Sequence, residues 1–108
     1  RMKFLCVCEG GSVRSVAMAH ALKYEHNQDA LAASWLKTAP ETMAMLAGWA
    51  DRIVLMQPRF IDRIPEQHRG KIKMVDVGLD RWENCLHPEL RTIVGAAAKV
   101  WSREGWKL

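Results

Sequence analysis

The chain has 108 residues, 49% of them hydrophobic and 26% charged, and a formal net charge of +4. A chain this long buries about two thirds of its unfolded surface, so residues 1–108 are read as a single domain that needs no staple to fold. No apolar run approaches the roughly 20 residues of a membrane span, no apolar signal-peptide segment opens the chain, and Lys and Arg are scattered rather than clustered. A small anionic ligand is therefore expected, with nucleic acid and membrane disfavoured as partners.

In chain order, residues 3–8 (KFLCVC) read as a short buried strand. A helix follows from Val13 to about His26, burying Val13, Ala17 and Ala21 with Met18 and Leu22 on a small-residue face. Residues 30–36 (ALAASWL) suit a second strand. Thr38 or Ala39, before Pro40 and Glu41, starts a helix that runs to Ala50. DRIVLM, 51–56, is a buried third strand ended by Gln57-Pro58, and a short helix spans about Arg59 to Ile64. After the Gly70 breaker, 71–77 (KIKMVDV) read as the fourth strand. Gly78 to His87 is then loop, and Pro88 opens a last helix to about Arg103. Strands alternating with helices predict an α/β fold, a four-stranded parallel sheet flanked by helices.

In such a sheet ligands bind beyond the carboxyl ends of the strands. CEGGSVRS, residues 8–15, occupies that position after the first strand. Gly10 and Gly11 permit the positive φ that turns successive amides into an anion nest, and Arg14 can grip two phosphate oxygens at once. A thiol at Cys8 in this setting is a candidate nucleophile, with Glu9, Gly10, Gly11, Ser12, Val13 and Arg14 as the phosphate cradle. The Ser15 hydroxyl can donate to the Cys8 sulfur and improve it as a leaving group. The bland alternative is a strand-end cysteine and an unrelated surface arginine. Three cysteines, Cys6, Cys8 and Cys85, are an odd number with the first two at i and i+2, so a disulfide framework is implausible and a reducing, cytoplasmic setting is expected. His20, His26, His68 and His87 show no ligand spacing, so neither metal nor other cofactor is implied.

A cysteine, five residues, arginine and serine resemble the signature of the protein tyrosine phosphatases. Only seven residues precede Cys8, and Val7 stands where the larger members carry histidine, so the chain order resembles the low-molecular-weight tyrosine phosphatase family. FLCVCEGGSVRSVAMAHAL is similar to that family's opening strand, loop and helix, ADRIVLM to its third strand, and KIKMVDVGLDRWENCLHPEL lies where it has its last strand and acid loop. The resemblance implies a cysteine-dependent phosphomonoester hydrolase, a protein tyrosine phosphatase acting through a cysteinyl-phosphate without a metal. Asp80-Arg81-Trp82 resembles the family's acid triplet, with arginine replacing proline. It implies Asp80 as general acid, with Asp76 as runner-up, and Trp82 as an aromatic substrate wall for which core packing is the alternative. Trp35 is a second candidate wall; Trp49, Trp101 and Trp106 are expected to serve packing.

Four departures carry expectations of their own. Gly11 replaces an asparagine, which implies a looser loop. Val13 replaces a second cysteine, leaving Cys6 or Cys85 as the thiols that could protect Cys8, with buried strand packing the favoured reading of Cys6. Glu9 replaces an apolar rim residue and would repel acidic peptides. The abrupt segment after the second strand implies a shallow, open pocket. Two other functions fit the same loop: a noncatalytic phosphate- or phosphoprotein-binding module, and arsenate reduction, for which only Cys85 lies downstream as a relay thiol.

Overall fold

In the computed structural model, residues 1–79 and 81–106 are described. Four parallel strands, β1 (Lys3–Cys8), β2 (Asp29–Ser34), β3 (Arg52–Leu55) and β4 (Ile72–Met74), form one sheet in the order β2-β1-β3-β4. β1 is central, and its apolar run needs cover on both faces, so Phe4, Leu5, Cys6 and Val7 are wholly buried. Three helices supply that cover: α1 (Arg14–His20), α2 (Pro40–Trp49) and α3 (Pro88–Arg103). α3 packs with α1, while α2 packs against β1 from the other face, as right-handed crossovers require when the strand order reverses. The four-stranded parallel α/β sheet expected from the sequence is the fold observed.

The helix ends follow local chemistry. Proline begins both α2 and α3, where its missing N–H would in any case have no intrahelical acceptor. At α3 the His87 side chain accepts from the Glu89 amide at 3.2 Å, capping one of the orphan donors. α1 widens after His20 into a π-helical turn, Ala21–Glu25, which keeps Ala21 and Leu22 buried. The expected inner face of Ala17, Met18, Ala21 and Leu22 is buried as read, while Val13 is only half-buried at the helix cap. Phe4 lies parallel to the Trp101 ring, with centroids 6.2 Å apart, and meets the Trp106 ring edge-on at 5.7 Å. These tryptophans are core packing, as expected.

Two segments differ from the sequence expectation. β4 covers only Ile72–Met74, because its partner β3 ends at Leu55, opposite Met74. Val75 and Val77 are still buried and still donate to the Leu55 and Met56 carbonyls. Residues on either side of Pro65 form two successive 3-10 helices, Pro58–Arg63 and Glu66–Lys71, in place of one short helix and a turn.

Candidate active site

The strand order reverses between β1 and β3, which opens a crevice at the carboxyl ends of these two strands. Residues 8–15 lie there, and the Cys8 sulfur is their focus. Its Sγ is 3.1 Å from the Ser15 Oγ and accepts from the Gly11 amide at 3.2 Å. A thiol donates to the serine hydroxyl; a thiolate receives the hydroxyl's proton instead. Among the described residues, Arg14 and Ser15 are the buried polar ones, both without exposure.

Gly11 shows why this loop carries its particular glycine. Its φ is +68°, and a Cβ there would lie 2.7 Å from the Ser34 nitrogen and 2.9 Å from the Ala33 carbonyl carbon. A left-handed conformation and backbone on backbone exclude every other residue. The expectation of a looser loop is therefore corrected, because losing the asparagine side chain is what lets the loop seat against β2. Ser34 Oγ donates to the Glu9 carbonyl at 2.7 Å, the Trp35 amide to the Cys8 carbonyl at 2.8 Å, and the Leu36 amide to the Glu9 carbonyl at 3.1 Å.

Arg14 reaches across the crevice. Its Nη1 donates to Gln57 Oε1 and to the Gly78 carbonyl, each at 2.7 Å, and its guanidinium lies 5.6 Å from the centre of the Phe60 ring. Gln57 lies two residues beyond β3, directly before the 3-10 helix Pro58–Arg63, and Gly78, at φ +77°, lies in the loop after β4. One side chain thus joins α1 to two other parts of the site. Gly10 and Ser12 are exposed at the loop's outer edge, and Val13 caps α1.

The rim differs from its sequence reading in three places. Glu9 Oε1 receives a 2.6 Å bond from Arg59, which holds the Glu9 carboxyl below its usual range despite partial desolvation. The pair cancels the charge expected to repel acidic peptides. Arg59 lies 4.7 Å from the centre of the Trp35 ring, and Trp35 Nε1 donates to Asp62 at 2.7 Å, so the 3-10 helix Pro58–Arg63 builds up the wall that the abrupt connection was expected to leave open. Arg63 fixes that wall further through the Trp35 and Thr38 carbonyls. Trp82, expected as a substrate wall, is only 4% exposed; Arg81 covers it at 3.7 Å and His87 meets it edge-on at 5.1 Å. It is packed as a core residue, and no open ring face remains for stacking.

Of the two candidate acids, Asp80 lies outside the described residues. Asp76 is exposed, and its Oδ1 accepts from the Gly78 amide at 2.9 Å, closing a turn in the loop that carries both aspartates. Cys6 is wholly buried in β1, the packing role favoured for it over protection of Cys8. Residues i and i+2 of an extended strand stand about 6.6 Å apart with parallel side chains, which a disulfide cannot bridge without moving the backbone. Burial, with a further contribution from Cys8, pushes the Cys6 thiol far up, leaving it inert. Among the described residues no group of His, Cys, Asp and Glu could hold a metal ion, and no helix is long and apolar enough to cross a membrane. The residues that sequence reasoning missed are Gln57, Arg59 and Gly78. Position 57, directly beyond the third strand at the reversal point, was the one available signal.

No protein-family model and no curated protein matches the chain. Among solved structures it is similar to Vibrio vulnificus Wzb in complex with benzylphosphonate, at TM-score 0.75 and 17% identity, covering 95% of this chain and 98% of that one. The YwlE arginine phosphatase from Geobacillus stearothermophilus matches at TM-score 0.68 and 15% identity, covering 99% and 97%. A low-molecular-weight phosphotyrosine phosphatase from Vibrio cholerae O395 matches at 0.61 and 19%, over the whole of both chains. The fold is that of the low-molecular-weight phosphatases.

Proposed function

We propose that the protein is a cysteine-dependent phosphomonoester hydrolase acting on phosphotyrosine or a related phosphate ester. The observation that carries this reading is the convergence on Cys8 Sγ of the Gly11 amide and the Ser15 hydroxyl, in a loop that also supplies the buried Arg14. A phosphate dianion enters the nest of loop amides from Glu9 to Arg14. Arg14, oriented through Nη1 by Gln57 and the Gly78 carbonyl, supplies the positive charge beside the anion.

The Cys8 thiolate attacks phosphorus in line: an S–P bond forms as the ester P–O bond breaks, and the departing oxygen takes a proton from Asp80. Water then attacks phosphorus and gives its proton to the Asp80 carboxylate. The S–P bond breaks, and the Ser15 hydroxyl donates to the returning thiolate. Arg14 and the loop amides balance charge throughout, the role a metal has in other phosphatases.

Hydrolysis of para-nitrophenyl phosphate tests the mechanism directly. Cys8→Ser is expected to lower turnover by about 10⁴-fold or more, the usual result of deleting a covalent nucleophile, while inorganic phosphate and orthovanadate still inhibit the wild type. Turnover that survives Cys8→Ser excludes the cysteinyl-phosphate. Binding of phosphate with no turnover of any phosphomonoester is the result that a noncatalytic phosphate-binding module would give.

A further inference from the structure

We infer that Gln57 is a positioning residue that couples oxyanion capture to the acid-bearing loop through Arg14; the inference rests on the phosphatase reading and extends it. Arg14 has no acceptor, so the Gln57 amide must present its oxygen, and the 2.7 Å bond fixes one Nη1 hydrogen. The second hydrogen of the same nitrogen lies on the Gly78 carbonyl at 2.7 Å. Gly78 is thus held on both sides of its Cα, its N–H by Asp76 at 2.9 Å and its C=O by Arg14. Any rotation of the guanidinium therefore changes both the charge it presents to the anion and the turn formed by Asp76 and Gly78, just before Asp80 in the sequence.

Gln57 suits this task for two reasons. It is half-buried just beyond β3 with an extended backbone, φ −152°, and Pro58 follows it, so its side chain leaves a rigid base. Its oxygen is also neutral. It orients the guanidinium without offsetting the positive charge, whereas a carboxylate at the same place would compete with the incoming oxyanion for Arg14.

A structural prop would weaken all substrates alike, so the test is leaving-group dependence. Nitrophenolate departs without much help from an acid, whereas an alkyl alkoxide needs its proton in the transition state. Three variants are compared with wild type on para-nitrophenyl phosphate and on an alkyl phosphate, and titrated with orthovanadate. Gln57→Ala is expected to weaken vanadate binding about tenfold, the value of one charge-assisted hydrogen bond, and to lower kcat/KM for the alkyl ester at least ten times more than for the aryl ester. Gln57→Glu keeps the acceptor and should restore the wild-type leaving-group dependence while vanadate affinity stays low. Gly78→Ala strains φ +77° in open space and should reproduce the leaving-group effect alone, with vanadate affinity kept.

If Gln57→Ala slows both esters equally or leaves vanadate affinity untouched, the coupling is wrong and the phosphatase reading stands. If wild-type protein hydrolyses neither ester, that reading fails and the coupling fails with it. Should Gln57→Ala not fold, Gln57→Glu and Gly78→Ala still separate the two effects, and identical behaviour of the pair overturns the proposal.

Discussion

The loop of residues 8–15, proposed above to cradle phosphate, and the described part of the segment after β4, residues 75–79 and 81–87, meet through Arg14 and Gly78 and are built on opposite principles. The first is locked by its own sequence: Gly11 fits a single backbone geometry, Ser15 sits under the sulfur, and β2 bonds the loop's carbonyls. The second is exposed through Asp76, Gly78 and Leu79 and is held by a few long-range contacts, namely Arg14 on Gly78, the ladder bonds of Val75 and Val77, and burial of Trp82. A nucleophile and its oxyanion nest need fixed geometry before substrate arrives, whereas an acid loop has to accommodate different leaving groups. Under the proposed function, rigidity is therefore concentrated where the phosphate would be held.

The largest expected effect breaks the acid loop. Asp80→Ala should lower kcat for alkyl phosphates by about 10²–10⁴-fold, the usual contribution of a general acid, and flatten one limb of the pH–rate profile. Asp76→Ala should instead loosen the Gly78 turn and cost far less. Equal turnover of Asp80→Ala and wild type, with loss in Asp76→Ala, reverses the assignment.

Next in size is an attack on the locked loop. Gly11→Ala should destabilise the fold by about 2–4 kcal/mol, combining left-handed strain with overlap against the β2 backbone. Urea unfolding would show it as a lower midpoint. A midpoint within error of wild type would mean that the loop is as adaptable as its opposite, and the contrast between the two would be lost.

The smallest effect belongs to the rim. Because Arg59 holds the Glu9 carboxyl below its unfolded range, the stabilisation from this pair is complete above the pKa of an unfolded glutamate and is lost as pH falls through the folded value. Glu9→Gln should remove that acid-side dependence from the melting temperature and leave neutral-pH stability nearly unchanged, as expected of an exposed ion pair. An unaltered acid limb in Glu9→Gln would assign the dependence to other carboxylates.

Much of the fold was legible because it is local. KFLCVC is apolar without interruption and became the central strand; Pro40 and Pro88 marked helix starts to the residue. β4 was read too long because apolar alternation continues through Val75 and Val77, while strand pairing depends on where β3 ends, which no residue of 71–77 encodes. The same limit explains Trp82. An aromatic beside a candidate acid reads equally as wall or core, and only the positions of Arg81 and His87 decided it.

By itself the sequence determined the local build of residues 8–15. The spacing from Cys8 to Ser15 and the placement of Gly11 act over one turn of chain, where sequence distance and spatial distance coincide. Only the tertiary structure decided what surrounds that loop: Gln57 lies 43 residues from Arg14, Gly78 lies 64 from it, and Arg59 lies 50 from Glu9. Those pairings arise because the reversal of strand order brings the carboxyl ends of β1 and β3 together, and a neutral amide or a surface arginine carries no local signal that it will be there.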